Sequence, residues 1–121
     1  MALSRGDVVL VVAPGEFGRP RPAVVVQSDA LLPEHPTTVV CPLTSDLRGL
    51  TLRVRVEPST GNGLRLASEV MVDKVQALAA SRIRDSVGRL SPNDLAAVER
   101  ALVLLLGLGE ADAATASRSP G

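Results

Sequence analysis

Residues 7–15 read Asp7-Val8-Val9-Leu10-Val11-Val12-Ala13-Pro14-Gly15. Val8 to Val12 is an unbroken apolar run, valine but for Leu10, and Pro14-Gly15 closes it. That pattern predicts a short strand buried on both faces. Residues 14–22, PGEFGRPRP, hold three prolines and two glycines. Such a stretch can be neither helix nor sheet interior, so it forms a constrained loop carrying Glu16, Phe17, Arg19 and Arg21. Ala23 to Gln27 then predicts a second strand and Thr37 to Leu43 a third, with Thr44-Ser45-Asp46 where that strand runs out.

Downstream, Leu52, Val54 and Val56 alternate with Arg53, Arg55 and Glu57. This is period-2 patterning, with one face inside and one face charged. Pro58 to Gly63 contains Thr-Gly-Asn-Gly, a hairpin signal. Leu64 to Val75 predicts one or two further strands, residues 79–85 a helical turn, and Ser86 to Leu90 a last short strand. The final element differs. Ser91 is a helix N-cap, Pro92 suits the first helical position, and Asp94 places an acid in the first turn. Leu95, Val98, Leu102 and Leu105 follow at helical spacing, and Gly107 and Gly109 end the helix. Ala101 to Leu106 is apolar nearly all round, so that end needs cover on more than one side. The whole predicts a mostly β domain with one C-terminal helix over residues 1–109, and a flexible tail over 110–121.

Composition narrows the function. The 121 residues carry thirteen basic and thirteen acidic side chains, for zero formal charge. A polyanion coat protein, which carries a large basic excess, is excluded on that ground. The basic side is arginine except for Lys74; this suits fork-like phosphate recognition, and a GC-rich genome would give the same skew. Phe17 is the only aromatic residue, so aliphatic side chains must fill the core. Cys41 is the only cysteine and His35 the only histidine, which leaves no disulfide and no Cys/His zinc set. Val39, Val40 and Leu43 around Cys41 predict a buried thiol. The run Val8–Ala13 is too short for a signal-peptide core or a membrane span, so the expected location is the cytoplasm, without membrane attachment. No phosphate-binding glycine loop, nucleophile elbow or two-metal carboxylate spacing occurs, and neither a cofactor nor a metal is expected. Arg5-Gly6-Asp7 is read as a turn before the first strand.

What remains is a set of loop residues: Glu16, Phe17, Arg19, Arg21, Thr44, Ser45, Asp46 and Arg48. In a meander, the ends of the first and third strands lie on one side of the sheet, where Arg21 can face Thr44.

These blocks together resemble the MazF/PemK family of toxin endoribonucleases from bacterial toxin–antitoxin modules. The carriers are Arg5-Gly6-Asp7-Val8-Val9, then Glu16 followed by Arg21-Pro22 and Ala23 to Asp29. Val39-Val40-Cys41-Pro42-Leu43-Thr44-Ser45, Ser68-Glu69-Val70, Asp73-Lys74-Val75 and the helix from Ser91 to Leu108 follow in order, over roughly residues 4–108. The resemblance implies a small SH3-like antiparallel barrel with a C-terminal helix, of the kind shared by MazF, Kid and CcdB toxins, working as a homodimer. It implies metal-independent, sequence-specific cleavage of single-stranded RNA, giving a 2′,3′-cyclic phosphate and a 5′-hydroxyl and so stopping translation and growth. It also implies inhibition by a MazE-like antitoxin with an acidic disordered tail. By the motif match, the catalytic arginine falls on Arg21 and the catalytic threonine on Thr44. Two departures stand out: Phe17 occupies a position that is glutamine in many relatives, and Met71 occupies the position of an arginine in PemK-type members, two residues before Asp73.

The residue chemistry is compatible with that activity. Attack of the 2′-hydroxyl on phosphorus needs a base, neutralisation of the phosphorane, and a proton for the leaving 5′-oxygen. A guanidinium suits the second need and is a poor base, because its pKa exceeds about 12. Glu16 and Asp73 are the candidate bases, with Ser45 as a supporting, substrate-orienting group. Phe17, Arg19 and Arg48 are the candidate RNA contacts, Phe17 either stacking on a base or plugging its own loop. Two other readings share the fold: a non-catalytic SH3-like binding module, which the lack of aromatics disfavours, and a gyrase-directed toxin, which the Arg21/Thr44 match disfavours.

Overall fold

The computed structural model describes residues 2–12, 19–32 and 34–110. Among the described residues, seven strands, β1 (Asp7–Val11), β2 (Arg21–Val25), β3 (Thr37–Thr44), β4 (Arg53–Val56), β5 (Ser68–Met71), β6 (Gln76–Ala79) and β7 (Ile83–Arg89), precede one helix, α1 (Pro92–Leu106). Short 3-10 turns at Val72–Lys74 and Ala80–Arg82 flank β6. All the strand pairings are antiparallel, in the order β4-β5-β3-β2-β1-β7, with β6 also pairing β3. No helix among the described residues is long and apolar enough to cross a membrane.

β3 organises the sheet because it is long enough to serve two partners on one edge. Thr37 to Val40 pair with β6, and Leu43 and Thr44 pair with β5. Pro42, which has no N–H to give a ladder, falls in the gap between them. Side chains alternate across the strands, and β1 and most of β2 and β3 are buried on both faces, whereas β6 and β7 are largely exposed. Val8, Val24, Cys41, Val56, Val70 and Val98 belong to one core, against which Leu95, Ala101, Leu102 and Leu105 of α1 pack. Val9, Val11, Ala23, Val25, Val40, Leu78 and Ile83 form the other. Burial on both faces is why β1 reads as a continuous apolar run.

The mostly β architecture with a C-terminal helix agrees with expectation, but the barrel is not closed by strand pairing. The edges β4 and β7 meet through a loop instead. Residues 57–67 cross from β4 to β5, and within them the buried Asn62 accepts from the Ser59 and Leu64 N–H groups and donates to Glu57 O. Arg89 N–H donates to Gly61 O at 2.8 Å. A Cβ on Gly63 would lie 2.2 Å from Val87 O, and one on Gly88 would lie 2.4 Å from the Asn62 carbonyl carbon. The Thr-Gly-Asn-Gly signal therefore marks this close approach, not a tight hairpin. Leu64 to Val75 divides into β5 and a 3-10 turn, since the strand ends at Met71.

The helix follows its sequence signals closely. Ser91 Oγ accepts the Asp94 N–H, with Pro92 in the first turn. Gly107, at φ +66°, ends α1 with Leu108 N–H donating to Val103 O and Gly107 N–H to Leu104 O. The left-handed conformation is one glycine adopts freely, and the paired bonds satisfy the last carbonyls. Only one face of the helix is covered: Val103, Leu104, Leu106 and Leu108 are exposed, Leu104 by 61%. The expected cover for that end does not come from within the described chain. The expected tail beyond Glu110 lies outside the described residues.

Candidate active site

Sheet register brings the two principal candidates together. Ala23 pairs with Pro42 and Val24 with Cys41. Continuing that register two steps places Arg21 across from Thr44. The same line runs through Arg55, Glu69, Thr44, Arg21, Val11 and Ile83 across six strands. Opposed residues of an antiparallel pair project to one face, their Cβ atoms about 5 Å apart. Val11 and Ile83 belong to the second core, so the site begins where that core's face runs out of apolar side chains and Arg21 takes over.

Three clefts follow this face. The central one, about 280 Å³, is lined by Arg21, Pro22, Leu43, Thr44, Ser45 and Leu64 among others. Arg21 also borders an apolar hollow of about 180 Å³ with Val11, Val40, Pro42, Gln76 and Leu78. Thr44 borders a third cleft of about 270 Å³ with Asp46, Arg48, Arg53, Met71 and Lys74. Arg21 thus lines the first two clefts and Thr44 the first and third. Thr44 Oγ1 accepts the Asp46 N–H at 3.1 Å, closing the turn that ends β3 and leaving the hydroxyl proton to donate elsewhere.

Behind the third cleft lies an ion network. Arg53 Nε donates to Asp73 Oδ1 at 2.8 Å and Nη2 to Oδ2 at 3.3 Å, a two-pronged pair. Its Nη1 stands 3.8 Å from Glu69 Oε1. The hydrogen bonds from Arg53 hold the Asp73 carboxyl below the usual carboxylate range and in turn raise the guanidinium pKa. Arg53 and Met71 are cross-strand partners. The guanidinium facing Asp73 is therefore supplied from the neighbouring strand, beside the Met71 position where PemK-type sequences have their arginine. The charged face expected for β4 is in part an inside face, for the Arg53 side chain is only 7% exposed.

The other candidates fall as follows. Ser45 joins Arg21 and Thr44 in the central cleft. Arg48 lines the third cleft and donates from Nε to Asp46 Oδ2 at 2.9 Å. Asp73 sits behind that cleft, committed to Arg53. Arg19 is exposed on the approach to β2 and lines none of the three clefts. Glu16 and Phe17 lie outside the described residues. Among the described residues, no three His, Cys, Asp or Glu side chains gather as metal ligands would. Sequence reading missed Arg53 and Glu69 as site neighbours. Their period-2 strands were legible, but only the register places both on the Thr44 face. Arg5-Gly6-Asp7 is the turn into β1: buried Asp7 accepts from Ser4 N–H and from Arg89 Nη1.

Comparison with known proteins identifies the family and the fold. Residues 4–106 match the family described as PemK-like, MazF-like toxin of type II toxin–antitoxin system. The chain is 37% identical over 107 residues to the "Probable endoribonuclease MazF" of Mycolicibacterium smegmatis, covering 88% of this chain and 98% of that protein. It superposes on MazE-MazF (Form-II) from Deinococcus radiodurans with TM-score 0.75 at 25% identity, over 90% of this chain and 99% of that one. Mycobacterium tuberculosis toxin MazF-mt6 shares the fold, with TM-score 0.73 at 22% identity, over 84% of this chain and 97% of that one. With the family match spanning most of its length, the chain belongs to the PemK-like, MazF-like toxins of type II toxin–antitoxin systems.

Proposed function

We propose that this protein is an endoribonuclease that cuts single-stranded RNA at short sequence motifs without a metal, and that residues 1–109 are its working unit. The observation that carries the reading is the Arg21–Thr44 juxtaposition at the centre of a groove on a MazF-like fold. Arg21 lines both the central cleft and the apolar hollow beside it, so a guanidinium borders both. Arg21 neutralises the phosphorane formed when the 2′-hydroxyl attacks phosphorus, using fork donors aimed at its oxygens. Thr44, whose oxygen already accepts from Asp46 N–H, spends its proton on the phosphate or on the attacking hydroxyl. Ser45 lines the same cleft and orients the strand.

Asp73 is a weak base because Arg53 holds it ionised at low pH. Proton abstraction therefore falls to Glu16, and Asp73 keeps Arg53 in place. The products are a 2′,3′-cyclic phosphate and a 5′-hydroxyl, and cutting of messages would stop translation and growth in the cytoplasm.

The relatives also suggest partners. One matched structure is of MazE together with MazF. By likeness, this chain is restrained by an antitoxin whose acidic tail lies along the groove, since carboxylates and phosphates address the same donors. The bare apolar end of α1 is the surface on which two copies would associate. The deciding experiment is incubation of the purified protein with a long single-stranded RNA in EDTA. Discrete fragments ending in cyclic phosphate are expected; intact RNA would overturn the reading.

A further inference from the structure

Glu69 has an environment that neither the fold nor the cleavage chemistry explains. It stands across from Thr44 on the groove face, yet it is only 4% exposed. Its two oxygens take the backbone N–H groups of consecutive residues, Arg48 to Oε1 at 3.1 Å and Gly49 to Oε2 at 2.8 Å. Gly49 lies at φ +62°. Consecutive N–H groups ending in a left-handed glycine make a concave anion seat, and here the anion is the protein's own carboxylate. Arg53, 3.8 Å away, supplies the countercharge from below.

The clamp has a consequence for the groove. The segment 45–50 has no regular secondary structure, and its side chains are exposed. Without an anchor it would sample many conformations, and a ligand would have to order it on binding. The anchor is backbone-directed, so it does not itself occupy the Arg48 side chain. That side chain uses Nε for Asp46 and has four more N–H donors. It lines the third cleft together with Thr44 and Lys74.

We propose that Glu69 is a positioning residue that, through the backbone of Arg48 and Gly49, holds Arg48 beside Thr44 as a seat for the RNA phosphate neighbouring the scissile one. The proposal rests on the endoribonuclease reading and adds to it a second phosphate contact and the device that aims it. Glu69 touches no reacting atom. Its removal should weaken substrate binding without altering the chemical step.

The experiment is a double-mutant cycle on a short single-stranded RNA carrying one cleavage site, with amide hydrogen exchange measured alongside. Glu69→Gln replaces one acceptor oxygen with a donor, so one of the two loop amides loses its partner. Exchange at residues 48 and 49 should quicken at least tenfold, KM should rise about tenfold, and kcat should stay within twofold. Arg48→Ala should raise KM similarly, and the double variant should be no worse than Arg48→Ala alone, because both act through one side chain. Arg48→Ala changes only a surface side chain and serves as the test even if Glu69→Gln folds poorly. An unchanged KM in Arg48→Ala, additive effects in the double variant, a fall confined to kcat, or unchanged exchange would each overturn the proposal. Quickened exchange in Glu69→Gln, together with an unaltered protein that cuts no RNA, would instead sink the endoribonuclease reading and leave the clamp standing.

Discussion

The groove beside Arg21 and Thr44 and the C-terminal half of α1 are both surface, but they are stabilised in different ways. Around the groove, charges are already paired inside the chain. Asp73 holds Arg53, Asp46 holds Arg48, and Glu69 takes two loop amides. At the end of the helix, Val103, Leu104 and Leu106, with Leu108 just beyond it, are exposed among the described residues. The difference follows from what each surface has to meet. A charged ligand gains most from donors that are already aimed, since side chains ordered only on binding give back much of the interaction in entropy. An apolar surface has no donor to aim and gains by being covered. Substitutions in the groove should therefore change rate more than stability, and substitutions on the helix should change assembly more than rate.

The largest effect is expected from Arg21→Ala. Loss of the central guanidinium should lower the cleavage rate by about 10³-fold, the upper range for removal of one charge-stabilising donor. As an exposed residue at the start of β2, it should shift stability by no more than about 0.5 kcal/mol. Initial rates and urea unfolding measured on one preparation check both halves. A large stability loss would break the contrast between the two surfaces. Thr44→Val comes next. It keeps the side-chain shape and removes the hydroxyl, for a loss of about 10²-fold in rate if that group donates in the transition state. It also removes the acceptor for Asp46 N–H, so melting should fall slightly; an unchanged rate with lowered melting would leave Thr44 a purely structural role.

Leu104→Glu tests the other surface. A charge placed in an apolar contact between copies should weaken association by about 2 kcal/mol, or roughly thirtyfold. Light scattering should then find single chains at concentrations where the unaltered protein is paired, while the isolated fold still melts cooperatively. If the unaltered protein is already monomeric at micromolar concentration, the apolar end of α1 has some other use.

How far the sequence carried this picture depended on the range of the signal. The helix was legible to the residue, because Ser91, Pro92 and Gly107 act through local backbone geometry. The buried strands were legible from their valine runs. The open edge was not: whether β4 meets β7 depends on Gly63 and Gly88 letting two backbones touch, and nothing at either position announces a partner some 25 residues away. The same limit hid Glu69 and Arg53. Their spacing marked strands, but their neighbours Thr44 and Asp73 come from pairing across the sheet. Arg21 and Thr44 were chosen by motif likeness, and the register supplied the physical reason that they stand together.

Cys41 lies between the two regions and gives the smallest effect. It is buried in the core under α1, three residues before Thr44 on the same strand. Burial, with a smaller contribution from the Asp73 charge, pushes its thiol pKa up to about 12. The unfolded chain releases that proton near pH 8.5. Because the folded pKa is the higher one, the contribution of the neutral thiol is complete below about pH 8.5 and is lost as pH rises toward 12. Between pH 8 and pH 10, folding stability should fall by about 2 kcal/mol. Composition makes this change readable. The chain has no tyrosine and Lys74 as its only lysine, so few other side chains titrate in that window. Cys41→Ala should be less stable at every pH because it leaves a small cavity, but its stability should be nearly flat from pH 8 to pH 10. The slope, not the offset, is the readout in urea unfolding. An equally steep slope in the variant would mean that the alkaline loss comes from elsewhere, and that the core beneath the groove does not hold a neutral thiol.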